Sequence, residues 1–271
     1  LPIYQSLRKN MIVHCEKGTK KIMNDVEREK LKNIIEESNN IVFFGGAGVS
    51  TESGVPDFRS KTGLYNQHDV EFARYEPEYL LSKRCLYNNP KVFYEFYRQK
   101  LDARDIEPNI THKVLADMEK TGKLSAIVTQ NIDGLHQKAG SKNVFEIHGS
   151  TSRNYCVKCG AEYPVDYIFE SDGIPICPKC NRPVRPDVVL YGEKLPMDTL
   201  YKATTAISKA DCLIVGGTSL QVWPAAGIVS YFKGDYMVVI NKDHLPIGLG
   251  DGDLQINDSL GNVFREIKKY I

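Results

Sequence analysis

Residues 41–59 read IVFFGGAGVSTESGVPDFR, and this run constrains the fold more than any other part of the chain. The apolar stretch Ile41–Phe44 enters a tight Gly45-Gly46-Ala47-Gly48 turn. The polar residues Ser50-Thr51-Glu52-Ser53 follow, placed to cap or open a helix. Strand, glycine turn and helix start is how α/β proteins hold a pyrophosphate. The glycines let the backbone approach the phosphates, and N–H groups at the helix start meet the negative charge. Gly54-Val55-Pro56-Asp57-Phe58-Arg59 then sets an acid, an aromatic ring and a guanidinium side by side. Holding phosphate does not need that trio, so the bound nucleotide is expected to be acted upon.

Further apolar runs at Ser125–Thr129, Val144–Ile147, Cys212–Val215 and Met237–Ile240 read as buried strands, and Val188–Tyr191 reads as an extended apolar segment. Amphipathic spacing predicts helices over Asn24–Asn39, from about Pro90 to Leu101, after Pro108-Asn109, and over Gly261–Tyr270. Short strands alternating with helices imply a Rossmann-like parallel sheet with helices on both faces. In such sheets the ligand lies beyond the carboxyl ends of the strands. Polar residues stand at five of those ends, namely Gly46–Ser50, Gln130–Asp133, His148, Thr218–Ser219 and Asn241, which predicts one shared nucleotide site.

Residues 153–188 differ in texture, with two CxxC pairs, five prolines and little helical pattern. They are expected to form an inserted zinc-ribbon module. Residues 23–152 and 189–271 would form the nucleotide-binding domain, with about 60–105 lending a helical part to the small one. Cys156-x2-Cys159 and Cys177-x2-Cys180 lie 17 residues apart, the spacing of a four-thiolate zinc site. Four thiolates leave no open position for water, so the zinc is expected to be structural; a redox dithiol is the other reading. Cys15, Cys85 and Cys212 have no partner at ligand spacing and read as ordinary thiols.

Charge narrows the function classes. The net charge is +1, which gives no global case for nucleic acid or a membrane surface. Within the cysteine module, Lys158, Lys179, Arg182 and Arg185 are offset by Glu162, Asp166, Glu170, Asp172 and Asp187. That leaves no basic surplus for nucleic acid. No apolar stretch approaches the length of a membrane span, and a signal peptide's apolar core is missing, so a cytoplasmic protein is expected; a monomer is expected as well, though no sequence feature fixes it. Residues 1–22 read as a flexible arm, a cloning remnant or an upstream start, with a regulatory basic arm as the other reading.

Gly46-Ala47-Gly48-Val49-Ser50, Gly54 to Arg59, Thr129-Gln130-Asn131-Ile132-Asp133-Gly134-Leu135-His136, His148-Gly149, the CxxC pairs and Gly217-Thr218-Ser219 follow one another in this order. From about residue 30 to 266 the chain thereby resembles a sirtuin, an NAD-dependent protein-lysine deacylase of bacterial type. The resemblance implies that Ala47, Thr51, Phe58 and Arg59 line the NAD site, with Gly46, Gly48, Ser50 and Asp57 in the same loop. Gln130 would meet the ribose; Asn131, Ile132 and Asp133 the nicotinamide pocket, with Asn131 and Asp133 sharing in catalysis. Gly217, Thr218, Ser219 and Asn241 would hold the phosphate and adenosine end, and Ser259 would add a backbone contact to adenine.

His148 matches the family's base. In that chemistry the acyl-lysine carbonyl oxygen attacks C1′ of the nicotinamide ribose and expels nicotinamide. An imidazole, ordinarily titrating near neutrality, then relays the proton that activates the ribose 2′-hydroxyl. The products would be free lysine, nicotinamide and 2′-O-acyl-ADP-ribose. Acylated lysine peptides would add a strand against Val189, Tyr191, Gly192 and Glu193. Relatives that remove succinyl or malonyl groups carry Tyr-x-x-Arg in the helix after the Asn-Pro; here Tyr97 matches but Lys100 replaces the arginine. A lysine cannot make the planar fork to a carboxylate, so acetyl and other neutral acyl groups are favoured.

Other readings stay open at this point: desuccinylation or demalonylation, ADP-ribosyl transfer from the same NAD site, a catalytically silent NAD sensor, and a dehydrogenase. Retention of Asn131, Asp133 and His148 together speaks against a sensor and a pure transferase. Asn241, where an ordinary dinucleotide fold carries a ribose-binding acid, speaks against a dehydrogenase.

Overall fold

In the computed structural model, which describes residues 23–58, 60, 63–64, 71–221 and 224–271, the first apolar run forms the centre of a sheet. The strands are β1 (Ile41–Gly45), β2 (Leu124–Thr129), β3 (Val144–Glu146), β4 (Gly149–Cys156), β5 (Glu162–Tyr163), β6 (Val184–Val188), β7 (Cys212–Gly216), β8 (Tyr236–Ile240) and β9 (Leu254–Ile256). The helices are α1 (Asp25–Glu37), α2 (Pro77–Leu80), α3 (Lys83–Asn88), α4 (Pro90–Leu101), α5 (Ile110–Lys120), α6 (Leu135–Lys138), α7 (Asp166–Phe169), α8 (Met197–Lys209) and α9 (Leu260–Ile267).

Six strands pair in parallel in the order β3-β2-β1-β7-β8-β9. Alternation along β1 explains the two layers of helices. Ile41 and Phe43 enter one core with Leu31, Ile35, Leu115, Met118 and Phe264, from α1, α5 and α9. Val42 and Phe44 enter the opposite core with Ala203 and Ile207 of α8 and with Ala225, Ile228 and Val229. Each fully buried phenylalanine contributes about 1.5–3 kcal/mol. Asn24 starts α1 with a reciprocal capping box: its side chain accepts from Glu27 N at 2.9 Å, and Glu27 accepts from Asn24 N at 2.9 Å.

A second sheet, β5-β4-β6, is antiparallel. Its core is shared with the helical segment: Phe93, Tyr94, Phe96 and Tyr97 of α4 pack with Cys156, Cys177, Val184, Val188 and Leu190. No described helix is long and apolar enough to cross a membrane.

Two expectations are corrected here, and two strands carry no clear pattern in the sequence. The helix expected after β1 is two 3-10 turns, Ala47–Val49 and Thr51–Ser53. Their N–H groups on Val49, Ser50, Ser53 and Gly54 are engaged by the carbonyls of Gly46, Ala47, Ser50 and Thr51. Val188–Tyr191 is not one strand: β6 ends at Val188, and Leu190–Glu193 is a turn closed by Glu193 N donating to Leu190 O at 2.9 Å. Gly192 sits at its third position with φ +87°, the conformation a type II turn requires. β4 and β9 went unread because β4 is polar on both faces (GSTSRNYC) and β9 has only three residues. The residues 1–22, Arg59 and Val222, on which other expectations fell, lie outside the described residues.

Candidate active site

The strand order reverses between β1 and β7, and a cavity of about 780 Å³ opens there, beyond the carboxyl ends of the strands. This is the switch point at which open α/β sheets bind nucleotides, and the volume lies in the range of sites that enclose a whole ligand. All five predicted strand ends reach it. Ala47, Gly48, Thr51, Asp57, Phe58, Gln130, Asn131, Ile132, His148, Gly217, Thr218, Ser219 and Asn241 line it, and so do Val189, Tyr191, Gly192 and Glu193.

The glycines here serve packing between loops as much as access to a ligand. Gly48 N donates to Gly217 O at 2.8 Å, and a Cβ on Gly48 would lie 2.7 Å from Gly217 Cα. Gly217 has φ +60°, and a Cβ there would come 2.6 Å from Val49 N. A Cβ on Gly46 would press on Thr218 Cβ at 2.8 Å. The β2 loop ties into the same knot: Gln130 N donates to Gly45 O at 2.9 Å, and Gln130 Nε2 to Thr218 Oγ1 at 3.0 Å.

Ser50 and Asp133 stand behind the wall. Ser50 Oγ donates to Asp133 Oδ2 at 2.7 Å and accepts from Asn131 Nδ2 at 3.0 Å, so one hydroxyl joins the two. Leu135 N donates to Asp133 Oδ1 at 2.9 Å. Burial pushes the Asp133 carboxyl above the ordinary carboxylate value, while the Leu135 N–H and the Ser50 hydroxyl pull against it. Neither Ser50 nor Asp133 is among the cavity-lining residues; they orient Asn131, which is.

His148 joins the two sheets, between β3 and β4. Its Nδ1 lies 2.9 Å from Gln130 O, and a carbonyl only accepts, so Nδ1 carries the proton and Nε2 holds the lone pair. The backbone around it is fixed on both sides. Val189 N donates to His148 O at 2.9 Å, and Gly149, at φ +77°, lies so close to Asp187 O that a Cβ would come within 1.9 Å.

Three expected contacts differ. Ser259 is not on the cavity wall: its Oγ caps α9 by accepting from Asn262 N at 3.3 Å, and its neighbours Asp258 and Leu260 line the cavity instead. Tyr97 and Lys100 are not on the wall either. Tyr97 is wholly buried between Phe93 and Phe169, with ring centroids 5.8 and 5.3 Å away, because α4 turns its aromatic face into the small core. The Glu193 carboxylate is engaged by Arg185 at 2.6 and 2.9 Å, and the Tyr191 N–H and C=O by Leu81 O and Lys83 N at 3.0 Å each.

The structure also supplies residues that sequence reasoning left out. Asn109 caps α5, but its Nδ2 reaches Val49 O at 2.7 Å and Ser53 Oγ at 2.9 Å, bracing the first 3-10 turns from behind. His112 Nδ1 accepts from Asn109 N at 3.3 Å. Glu52 lines the cavity and accepts from Gly261 N at 3.2 Å, at the amino end of α9. Asn109 followed by His112 three residues on carries a local capping signal; nothing in the spacing announces the reach to Val49.

The sulfurs of Cys156, Cys159, Cys177 and Cys180 all lie within 4.8 Å of one another, with Cys156–Cys180 at 3.3 Å and Cys159–Cys177 at 3.7 Å. These separations are too long for a disulfide and close to the edge of roughly 3.8 Å that four Zn–S bonds of about 2.3 Å give a tetrahedron. The donor set therefore fits one structural zinc.

A family model described as the Sir2 family matches residues 46–224. A protein of Clostridium perfringens named NAD-dependent protein deacetylase is 54% identical over 245 residues, covering 90% of this chain and 99% of that protein. A solved complex described as Sir2, p53 peptide and NAD+ superposes with a TM-score of 0.76 at 36% identity, over 89% of this chain and 97% of that one. A Sir2 complex with an inhibitor, 2′-O-acetyl-ADP-ribose and deacetylated p53 peptide superposes with a TM-score of 0.75 at 33% identity, over 89% and 97%.

Proposed function

The chain belongs to the Sir2 family and is an NAD-dependent protein deacetylase, and on that premise we propose how its own residues divide the work. NAD, when bound, supplies an electrophilic ribose carbon and a leaving nicotinamide. The β1 and β7 loops, through Ala47, Gly48, Gly217, Thr218 and Ser219, hold its phosphates and riboses, while Gly46, expected among them, is off the cavity wall and packs against Thr218. Asn131 and Ile132 meet the nicotinamide end, and Asn241 the adenosine end, with Asp258 in place of the expected Ser259. Ser50 and Asp133 act by holding Asn131. Asp57 and Phe58, on the cavity wall, flank the cofactor.

One observation carries the reading: His148 lines the cavity with its Nδ1 proton engaged by Gln130 O. That bond supports Nε2 as the atom that takes a proton from a ribose hydroxyl. The acetylated lysine enters between Val189–Glu193 and the β7 loop, pairing through main chain. Lysine at position 100, and the burial of Tyr97 away from the cavity, support acetyl and other neutral acyl groups over acidic ones. We further place residues 153–188 and the α2–α4 segment in one small module, and the protein in the cytoplasm as a monomer, where four reduced thiols would persist.

Mass spectrometry of one lysine peptide carrying acetyl, butyryl or succinyl, incubated with and without NAD, tests this. NAD-dependent loss of acetyl with 2′-O-acetyl-ADP-ribose appearing is expected, with succinyl removed far more slowly. ADP-ribose gained by the peptide without acyl loss would overturn the assignment of His148.

A further inference from the structure

We propose that the buried Arg185–Glu193 ion pair is a positioning clamp that fixes the Val188–Glu193 turn for the acylated peptide and so sets peptide affinity. The proposal rests on the peptide lying along this turn. Arg185 is 6% exposed, at the end of the cysteine module, and does not line the cavity. Its guanidinium makes the two-bond fork to Glu193 at 2.6 and 2.9 Å, and reaches the backbone on either side: Pro186 O at 3.2 Å and Val188 O at 2.9 Å. Glu193 passes the grip onward, accepting from Leu190 N at 3.0 Å. One planar cation and one carboxylate thus hold three points of a six-residue segment whose other face meets the cavity.

Only arginine has this geometry. A lysine at 185 keeps the charge but cannot hold both carboxylate oxygens and two carbonyls in one plane. The clamp is also seated on the cysteine module. Tyr155, which pairs with Arg185 between β4 and β6, lies with its ring 5.8 Å from the guanidinium and directly precedes Cys156. Shape at the four sulfurs is therefore passed by one arginine to the peptide wall.

The test is steady-state kinetics of full-length Arg185→Lys, Glu193→Gln and the double variant on an acetyl-lysine peptide, beside Ile168→Ala and Val189→Trp. Each clamp variant is expected to raise the peptide KM about tenfold, with kcat and the NAD KM within about twofold. The double variant is expected to be no worse than the poorer single one, since both break one unit. Ile168→Ala, in the same module's core, is expected to lower the melting temperature while leaving KM alone, which separates clamping from mere stability. Glu193→Gln raising KM while Arg185→Lys does not would overturn the clamp, because Glu193 would then be touching peptide directly. So would equal losses in peptide and NAD affinity. Val189→Trp reads the underlying premise: if it leaves the peptide KM unchanged, the peptide does not lie on this turn and the clamp falls with it. If it raises KM while the clamp variants do not, the peptide site stands and the clamp alone fails.

Discussion

The two walls of the cavity are held by different means. On the β1–β7 wall, backbone lies on backbone, with Gly48 and Gly217 so close that neither admits a side chain. On the 188–193 wall, a charged fork holds a turn from behind, and the fork stands on a module whose core includes Cys156 and Cys177. The first wall depends on the parallel sheet and the α5 cap that braces it. The second depends on a small core joined to a metal site. Cofactor binding should therefore tolerate loss of the metal or of the charged fork better than peptide binding does.

Metal removal breaks the comparison hardest. Structural zinc contributes on the order of 10 kcal/mol to folding in small modules, so chelation is expected to expose residues 156–186 to protease while the six-stranded sheet stays protected. An unchanged melting temperature and digest after chelation would count against a zinc-dependent second wall. Next comes His148, which touches both walls. His148→Ala is expected to lower kcat about 10²- to 10⁴-fold with NAD affinity nearly intact by calorimetry; a near wild-type rate would show that another group takes the proton.

Acid gives the third effect, and on the first wall it works through a buried histidine. Burial holds the His112 imidazole down from 6.5 to about 4, and His112 supports the Asn109 brace. The unfolded chain therefore binds that proton first. Stability from neutral His112 is whole above pH 6.5 and is lost as pH falls toward 4, by about 3 kcal/mol. Urea melts at pH 7 and 4.5 should show this slope, and His112→Gln should reduce it, leaving the part due to His136, whose imidazole burial also holds well below 6.5; an unchanged slope would exclude His112 as a source. The smallest effect is that of Gly217→Ala. Overpacking at a positive φ is expected to cost about 1–3 kcal/mol and to weaken NAD binding with the peptide KM less affected. The opposite split would mean that the two walls are not separable.

The first wall was far more legible in the sequence than the second. β1, β7 and β8 are apolar runs, and β2 is one apart from Ser125 and Thr129, because both faces of a parallel sheet are covered, and such runs announce themselves. Their polar ends pointed to the cavity for the same reason. The four cysteines were legible from spacing, since two knuckles make one tetrahedron. The turn after β6 was not. Val188–Tyr191 is apolar and reads as an extended segment, whereas its shape is set by Arg185 from outside and by Gly192 within it. Arg185 itself counted only as one cation among several. The resemblance alone points to Glu193 and Ser259; Glu193 lines the cavity but gives its carboxylate to a guanidinium, and Ser259 stands off the wall with its hydroxyl in a helix cap. Contacts such as Asn109 to Val49 join residues far apart in the chain, and local pattern carries no trace of them.

The position of β1 also sets when the protein can become active. β1 is hydrogen-bonded to residues 124–129 on one side and 212–216 on the other, and the cavity opens at that second seam. A nascent chain that stops short of residue 216 has its base, its first glycine loop and all four cysteines, yet has no seam in which to hold a dinucleotide. Long-range parallel pairing closes slowly compared with local helices. The dinucleotide seam is therefore assembled only once residues 212–216 have paired with β1.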